Sequence, residues 1–222
     1  MKVLGILGTP HDHGNTVLLL DAVLQGAAAA GAETEKIGMA GLDMEYCVAC
    51  GKCYATGECI YDDDVEMLKS KMMAADGIVL ASPNYMHSVT AQMKTLMDRC
   101  ALWVHCFLLE GKYGAAVATA GGSGEEQVAA FQNEVLQLYG MQTAGIATAK
   151  AAGMGALVDQ AAALGRATEL GKDLVAAIRT QRVCPNQAAA RAQFAERMKQ
   201  LVVRMAEKAP FQYEHWEKMG WL

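Results

Sequence analysis

The amino-acid sequence predicts an α/β domain in which a parallel five-stranded sheet carries helices on both faces. Between residues 1 and 180, short apolar runs of strand length alternate with Ala- and Leu-rich segments of ten or more residues. Connections of that length join parallel strands. Turns rich in glycine, or containing proline, follow three of the apolar runs, as at the ligand-binding edge of an open parallel sheet.

Five strands are predicted, at residues 2–7, 33–39, 77–81, 115–119 and 142–149. The second run is partly polar, which indicates a strand at the edge of the sheet, whereas the third is apolar throughout and indicates a buried strand. An edge position for the second strand agrees with the order 2-1-3-4-5. The predicted architecture is therefore a flavodoxin-like, doubly wound fold.

Helices are predicted between and after the strands, at residues 17–30, 65–74, 91–106, 125–139 and 157–180. The first stops at Gly31, a common helix terminator. Asp62, Asp63 and Asp64 precede the second helix, and acidic side chains there can cap its amino end and suit the helix dipole. We therefore interpret the three aspartates as capping residues rather than as metal ligands.

A C-terminal extension is predicted over residues 183–222, beyond a main domain of residues 1–182 with a cysteine loop inserted at 41–63. The extension contains a helix at 188–208 and an aromatic tail. Its apolar side chains recur at helical spacing, at Phe194, Met198, Leu201, Val202 and Met205. We interpret this stripe as a packing surface against the domain or against a second subunit.

Composition excludes several classes of function. The net charge is -5 and no dense basic patch is present, which argues against a nucleic-acid partner. No apolar run approaches the roughly 20 residues that span a membrane, and the amino-terminal run is too short for a signal peptide. We therefore expect a cytoplasmic protein, in which clustered cysteines indicate metal or redox chemistry more often than disulfides.

The loop after the first strand, residues 8–16, has the composition of a phosphate site. It precedes a helix, so backbone N–H groups and the helix dipole would face a ligand there. Thr9, Asn15 and Thr16 add polar side chains. The loop has neither the Gly-Lys-Ser/Thr of a Walker A motif nor G-x-G-x-x-G. Taken alone, it is equally consistent with an ordinary turn in which Asn15 caps the helix.

Two further loops follow strands three and four. In residues 82–88, Pro83 restricts the backbone, Tyr85 offers a ring for stacking, and Asn84 offers hydrogen bonds to a planar heterocycle. In residues 119–124, glycines permit close approach of a flat ligand. Each loop also fits a plain turn. Their coincidence with the first loop predicts a flavin mononucleotide (FMN), which needs a phosphate site at one strand end and ring contacts at the others.

Four cysteines lie within fourteen residues, in the spacing C-x2-C-x2-C-x5-C, at Cys47, Cys50, Cys53 and Cys59. The compact run favours an iron–sulfur cluster. Zinc also takes four cysteines, but usually from two separated C-x2-C pairs. Redox-active thiols and a degenerate motif that binds nothing remain as alternatives.

The other three cysteines are interpreted as structural. Cys184 precedes Pro185, as a cluster ligand does in bacterial ferredoxins, and could compete with Cys59 as fourth ligand. An ordinary loop cysteine is the simpler interpretation, because Cys59 is already close to the other three. Cys100 and Cys106 fall on different faces of one predicted helix and are expected in the core.

These motifs resemble those of a known family. The loop Gly8-Thr9-Pro10-His11-Asp12-His13-Gly14-Asn15-Thr16 resembles the GSPR-x-x-GNT phosphate loop of the NAD(P)H-dependent FMN reductase superfamily. Ser82-Pro83-Asn84-Tyr85, continuing to Lys94 and Asp98-Arg99, resembles its SP-x-Y…K…DR segment. The cysteine loop followed by Asp62-Asp63 is similar to that of the iron–sulfur flavoprotein branch, which carries C-x2-C-x2-C-x4–7-C.

The resemblance implies FMN near a dimer interface, with a 4Fe–4S cluster close to the flavin. It assigns the phosphate to Thr9, His11, Asn15 and Thr16, one side of the ribityl chain and ring to Pro83, Asn84, Tyr85 and His87, and the other side of the ring to Thr119, Gly121 and Gly122. Two residues depart from the family pattern. Thr9 replaces Ser and keeps the hydroxyl, whereas His11 replaces Arg and compensates less of the phosphate charge.

The function expected from these features is electron transfer through FMN and a 4Fe–4S cluster held by the four clustered cysteines. NAD(P)H, a ferredoxin or another electron carrier would act as partner, and the chain would form a homodimer or higher homo-oligomer. Two alternatives remain open. One is an NAD(P)H-dependent FMN or quinone reductase without a cluster, and the other is a flavin- and thiol-based redox sensor.

Overall fold

The computed structural model describes residues 1–222 and contains one sheet in the order β2-β1-β3-β4-β5-β6. Its strands are β1 (Lys2–Leu7), β2 (Glu33–Gly38), β3 (Gly77–Pro83), β4 (Tyr113–Ala120), β5 (Gln142–Gly153) and β6 (Ala156–Leu157). The first five pair in parallel, which confirms the predicted order 2-1-3-4-5. The two-residue β6 was not predicted. It pairs antiparallel with the end of β5, which runs past the predicted limit at residue 149.

The helices are α1 (Asn15–Ala29), α2 (Lys52–Thr56), α3 (Asp64–Ala74), α4 (Ala91–Arg99), α5 (Ala101–Cys106), α6 (Glu125–Leu138), α7 (Gln160–Thr180), α8 (Pro185–Arg204) and α9 (Pro210–Lys218). The helix predicted over 91–106 is interrupted at Cys100, so it forms two helices, α4 and α5. Cys100 and Cys106 are both fully buried, in agreement with their predicted place in the core. The short helix α2 lies within the cysteine loop and was not predicted.

Both faces of the sheet are buried, as expected for parallel strands covered by helices. Side chains alternate along each strand, so Leu4 and Ile6 pack on one face and Val3 packs on the other. Helices α3 to α6 cover the first face, and α1 with α7 cover the second. The arrangement leaves the carboxyl ends of β1, β3 and β4 to carry the loops of a site.

The C-terminal extension packs through a small aromatic cluster. Phe107, Val202 and Trp216 are almost fully buried at its centre. The Trp216 indole Nε1 donates a hydrogen bond to the His105 carbonyl at 2.7 Å. The Arg191 guanidinium lies 3.4 Å from the centre of the Phe107 ring. The extension is thus attached to the end of α5, and its separation from the main domain at residue 182 stays a prediction.

The stability of α9 should depend on pH through His215. Burial lowers the pKa of His215, helped by the nearby Lys218 cation and opposed by a hydrogen bond to the Cys106 backbone. The folded state therefore favours the neutral imidazole. The stability that His215 contributes to the fold is present above pH 6.5, the pKa of a histidine in the unfolded chain, and is lost as the pH falls below that value. As the pH falls through 6.5, we expect the melting temperature of the wild type to drop more steeply than the melting temperature of His215→Gln.

Thermal unfolding followed by tryptophan fluorescence measures this difference, because Trp216 lies on the same helix. The matched control is His13→Gln, since His13 is exposed on the main domain. Equal pH dependence in the wild type and His215→Gln would assign the effect to other groups.

Candidate functional site

A cavity of about 290 Å³ opens at the carboxyl ends of β1, β3 and β4. This size is at the lower end of the range for small-molecule sites. Nine of the eleven predicted flavin residues lie in its wall, namely Thr9, His11, Asn15, Thr16, Pro83, Asn84, Tyr85, Thr119 and Gly121. His87 and Gly122 lie outside the wall. The three loops that were predicted separately therefore meet at one place.

A buried pair of hydroxyl groups joins two of these loops. Thr16 Oγ1 and Thr119 Oγ1 are 2.6 Å apart, and each residue is 4 % exposed. One hydroxyl donates to the other, and each retains capacity for a further hydrogen bond. The pair fixes the start of α1 against the end of β4.

The amino end of α1 lies in the cavity wall without a capping side chain. Gly14 occupies the cap position, and no side chain accepts a hydrogen bond from the first N–H groups of the helix. Thr9 Oγ1 instead accepts from the backbone N–H of His11, at 3.3 Å. Free N–H groups at a helix start, with the positive end of the helix dipole, form an anion site. This geometry suits a phosphate group.

In two asparagine side chains of the wall, the amide nitrogen has a hydrogen-bond partner and the amide oxygen has none. Asn15 Nδ2 donates to the Gly153 carbonyl at 2.8 Å, and Asn84 Nδ2 donates to the Ser123 carbonyl at 2.6 Å. The Oδ1 atoms of both side chains are buried and have no partner. A buried polar atom without a partner is costly. Because an amide oxygen accepts hydrogen bonds, these two atoms match hydroxyl or N–H groups of a ligand rather than its phosphate.

The β5–β6 turn forms a further part of the wall that was not predicted. Gly153, Met154 and Gly155 line the cavity, and Met154 is 94 % exposed. The Gly-Met-Gly sequence is itself a turn signal. It was overlooked because β5 was expected to end at residue 149, before the turn.

A larger cavity of about 510 Å³ lies at the opposite end of the sheet, between the starts of β4 and β5 and helix α8. Its wall carries charges of both signs, including Glu134, Arg191 and Arg197, and none of the predicted site residues. Ligands of open parallel sheets bind at the carboxyl ends of the strands. The smaller cavity is therefore the better candidate for the cofactor.

The four clustered cysteines line a separate small pocket of about 40 Å³. Cys47 and Cys50 are exposed, whereas Cys53 and Cys59 are half-buried, and all four thiols are free. No group of three or more His, Cys, Asp and Glu side chains is close enough to hold a single metal ion. In a 4Fe–4S cluster each cysteine binds a different iron, so its four ligands stand farther apart than those of one ion.

In the absence of a metal centre, the environment of this pocket disfavours the thiolate form of Cys53. Burial raises the pKa of the Cys53 thiol, and the other three cysteines raise it further, while Lys69 acts in the opposite direction. Four thiolates at one place repel one another unless positive charge compensates them. A metal centre supplies that charge and holds the thiols deprotonated.

The cysteine loop is supported by the C-terminal extension. Gly57 ends α2 with a φ of 81°, and a Cβ atom there would lie 2.5 Å from the Phe211 ring. The Tyr54 ring stacks on His105 with centroids 4.5 Å apart, and His105 Nδ1 is 2.9 Å from Gln212 Oε1. Helix α9 thus packs directly on the helix that carries Cys53.

Comparisons with known proteins agree with this geometry. Residues 1–154 match the family described as NADPH-dependent FMN reductase. An iron–sulfur flavoprotein of Archaeoglobus fulgidus is 34% identical over 224 residues, which cover 100% of both chains. Another, of Methanocaldococcus jannaschii, is 42% identical over 132 residues, which cover 60% of this chain and 68% of the relative. A flavodoxin from the domain Archaea has the same fold, with a TM-score of 0.53 and 18% identity, covering 81% of this chain and 99% of that one.

The fold and the site define a flavin-dependent oxidoreductase with a flavodoxin-like architecture. The chain belongs to the NADPH-dependent FMN reductase family, in its iron–sulfur flavoprotein branch. It is an FMN-dependent oxidoreductase. None of its helices is both long enough and apolar enough to cross a membrane.

Replacing Asn15 with alanine should weaken FMN binding about tenfold. The change removes the bond to Gly153 and the free Oδ1 acceptor, and loss of roughly one net hydrogen bond, about 1.4 kcal/mol, corresponds to that factor. Titration of the apoprotein with FMN, followed by quenching of flavin fluorescence, measures the affinity. The matched control is Asn186→Ala, because Asn186 is exposed on α8. If Asn15→Ala bound FMN with wild-type affinity, Asn15 would not contribute to FMN binding.

Proposed function

We propose that this oxidoreductase transfers electrons between FMN and a 4Fe–4S cluster bound by Cys47, Cys50, Cys53 and Cys59. The observation that carries the proposal is that all four cysteines line one pocket, in a domain that also has a flavin-type cavity. A cluster exchanges electrons singly, while FMN exchanges one or two, so the pair connects one-electron and two-electron partners.

The residues of the cavity have separate proposed roles. Thr9, His11, Thr16 and the start of α1 would bind the phosphate. The resemblance assigns Asn15 to the phosphate, but its free Oδ1 is an acceptor. We therefore propose that Asn15, like Asn84, accepts hydrogen bonds from ribityl hydroxyls or a ring N–H, because both Oδ1 atoms lack partners. Pro83, Tyr85, Thr119 and Gly121 would contact the ribityl chain and ring. His87 and Gly122 lie outside the wall and would contact only the part of the ring that extends beyond it.

The electron partners follow from the chemistry of the two centres. We propose NAD(P)H, or a one-electron carrier such as a ferredoxin, as donor. We also propose a homodimer or higher homo-oligomer, in which exposed apolar side chains beside the flavin cavity would be covered. Met86 and Met154 are 95% and 94% exposed there.

A second candidate is an NADPH-dependent FMN or quinone reductase without a cluster. The family match over residues 1–154 supports it, because that activity needs the flavin alone. Steady-state turnover of NADPH with a quinone, compared between the wild type and Cys50→Ala, separates the two candidates. Equal turnover supports the second, and a marked loss supports the first.

Anaerobic reconstitution with iron and sulfide tests the main proposal directly. We expect about four irons per chain and a broad absorbance near 400 nm in addition to the flavin bands. Reduction of the reconstituted protein by a one-electron donor should then bleach the flavin faster than in protein without iron. No bound iron under strict anaerobic conditions would contradict the proposal.

A further inference from the structure

The cysteine loop is closed at its base by hydrogen bonds between its two ends. Asp43 N donates to Asp64 Oδ2 at 2.8 Å, and Asp64 N donates to the Asp43 carbonyl at 3.0 Å. Next to this pair, on the side of the cysteines, Glu45 N donates to Asp63 Oδ2 at 2.9 Å. The segment from 45 to 63, which carries all four clustered cysteines, therefore leaves and re-enters the domain at one place.

One buried side chain, Arg99, holds both ends of this loop. Its Nη1 donates to the Glu45 carbonyl at 2.7 Å and to Asp63 Oδ2 at 2.6 Å, and its Nη2 donates to Asp63 Oδ1 at 3.0 Å. The side chains of Arg99 and Asp63 are 1% and 4% exposed. A planar guanidinium can form two parallel hydrogen bonds with one carboxylate, an arrangement called here a fork. A lysine ammonium cannot form it.

Arg99 also faces the cysteines themselves. It lines the same pocket as the four thiols. Its observed hydrogen-bond partners are the Glu45 carbonyl and the Asp63 carboxylate. The Nε atom is buried and has no partner. The guanidinium thus lies between the base of the loop and the pocket that the four cysteines line.

The position of Arg99 is set by the flavin side of the domain. It is the last residue of α4, which is capped by Thr90 immediately after the loop that supplies Pro83, Asn84 and Tyr85. Thr90 Oγ1 donates to the Gly8 carbonyl in the phosphate loop. A single helix of nine residues therefore connects the loops of the flavin cavity to the base of the cysteine loop.

We infer that Arg99 is a positioning residue that holds the cysteine loop in its closed, ligand-binding shape before iron arrives. The inference rests on the proposed function only where it names the cluster as occupant. It adds that the pocket is preorganised by the domain, and that its geometry depends on one Arg–Asp fork. A cluster bound by the four cysteines would have this cation in the wall of its pocket, and the positive charge would favour the more negative, reduced state of the centre.

Hydrogen exchange of the iron-free protein tests the preorganisation. In Arg99→Gln, amides of residues 45–63 should exchange at least tenfold faster than in the wild type, while those of β1 keep wild-type protection and FMN remains bound. Arg99→Lys keeps the charge and loses the fork, so its loop should also exchange faster. The control Arg182→Gln removes a similar pair of hydrogen bonds, to Asp173, outside the pocket of the four clustered cysteines, and should leave the loop unchanged.

The reconstituted variants give a readout that depends on charge rather than on folding. The cluster potential should become more negative in Arg99→Gln and stay close to the wild-type value in Arg99→Lys, which retains a cation. Unchanged loop exchange in Arg99→Gln would overturn the inference, whatever the iron content. If that variant does not fold, Arg99→Lys decides, and wild-type loop exchange in it would overturn the inference.

The two proposals can fail separately. A wild type that binds no iron contradicts the electron-transfer function, while the exchange results on iron-free protein still test the role of Arg99. A wild type that binds iron, together with an Arg99→Gln variant of unchanged exchange and unchanged potential, contradicts the role of Arg99 alone.

Discussion

Replacing Cys53 with alanine should reduce the iron content of the reconstituted protein from about four atoms per chain to below about one, with FMN retained at the wild-type level. Cys53 lies on α2, between Gly51 and Gly57, and lines the pocket together with the other three cysteines. A 4Fe–4S cluster is normally bound by four cysteine thiolates, and no other cysteine lines this pocket. Iron and flavin are assayed on the same sample, so the FMN content reports whether the variant has folded.

The matched control is Cys184→Ala. Cys184 precedes Pro185, the sequence feature that makes it an alternative fourth ligand. It lies outside the cysteine pocket, and its backbone N–H donates to Gln142 Oε1 at 2.6 Å. This variant should retain its iron. Full iron in Cys53→Ala, or loss of iron in Cys184→Ala, would contradict the assignment of the four ligands.

Replacing Gly171 with alanine should destabilise the whole domain by about 3 kcal/mol and lower its melting temperature by roughly 6–12 °C. Helices α1 and α7 cross with their backbones in contact at this residue. A Cβ atom on Gly171 would lie 1.9 Å from the Val23 carbonyl oxygen, and one on Gly26 would lie 2.0 Å from the Thr168 carbonyl oxygen. Both obstacles are backbone atoms, so no side-chain rotation relieves the clash and the helices must separate.

Chemical and thermal unfolding measure this loss, with Gly165→Ala as the control. Gly165 is exposed on the same helix, and a Cβ atom there would meet nothing within 4 Å. Alanine is the better helix former by about 1 kcal/mol, so this variant should be as stable as the wild type or slightly more stable. Equal stabilities of Gly171→Ala and Gly165→Ala would show that the two helices can move apart at little cost.

Much of the fold could be predicted because its signals are local. Apolar runs and the turns between them determine which segments form strands, and the partly polar run at residues 33–39 indicated the edge strand β2. The break at Cys100 was missed because the apolar pattern continues from α4 into α5. The β5–β6 turn was not predicted because, beyond residue 150, β5 pairs only with the two residues of β6.

The sequence by itself determined the order of strands and helices along the chain, the three loops at the strand ends, and the cluster of four cysteines within fourteen residues. Each of these features depends only on residues that are close together in the sequence. Only the tertiary structure decided which of these residues meet. Asp63 was predicted as a helix cap, and its side chain does accept from Val65 N, two residues away. The same carboxylate also pairs with Arg99, 36 residues away. That contact exists because α4 docks beside the cysteine loop, and docking depends on the packing of the whole sheet rather than on any local pattern.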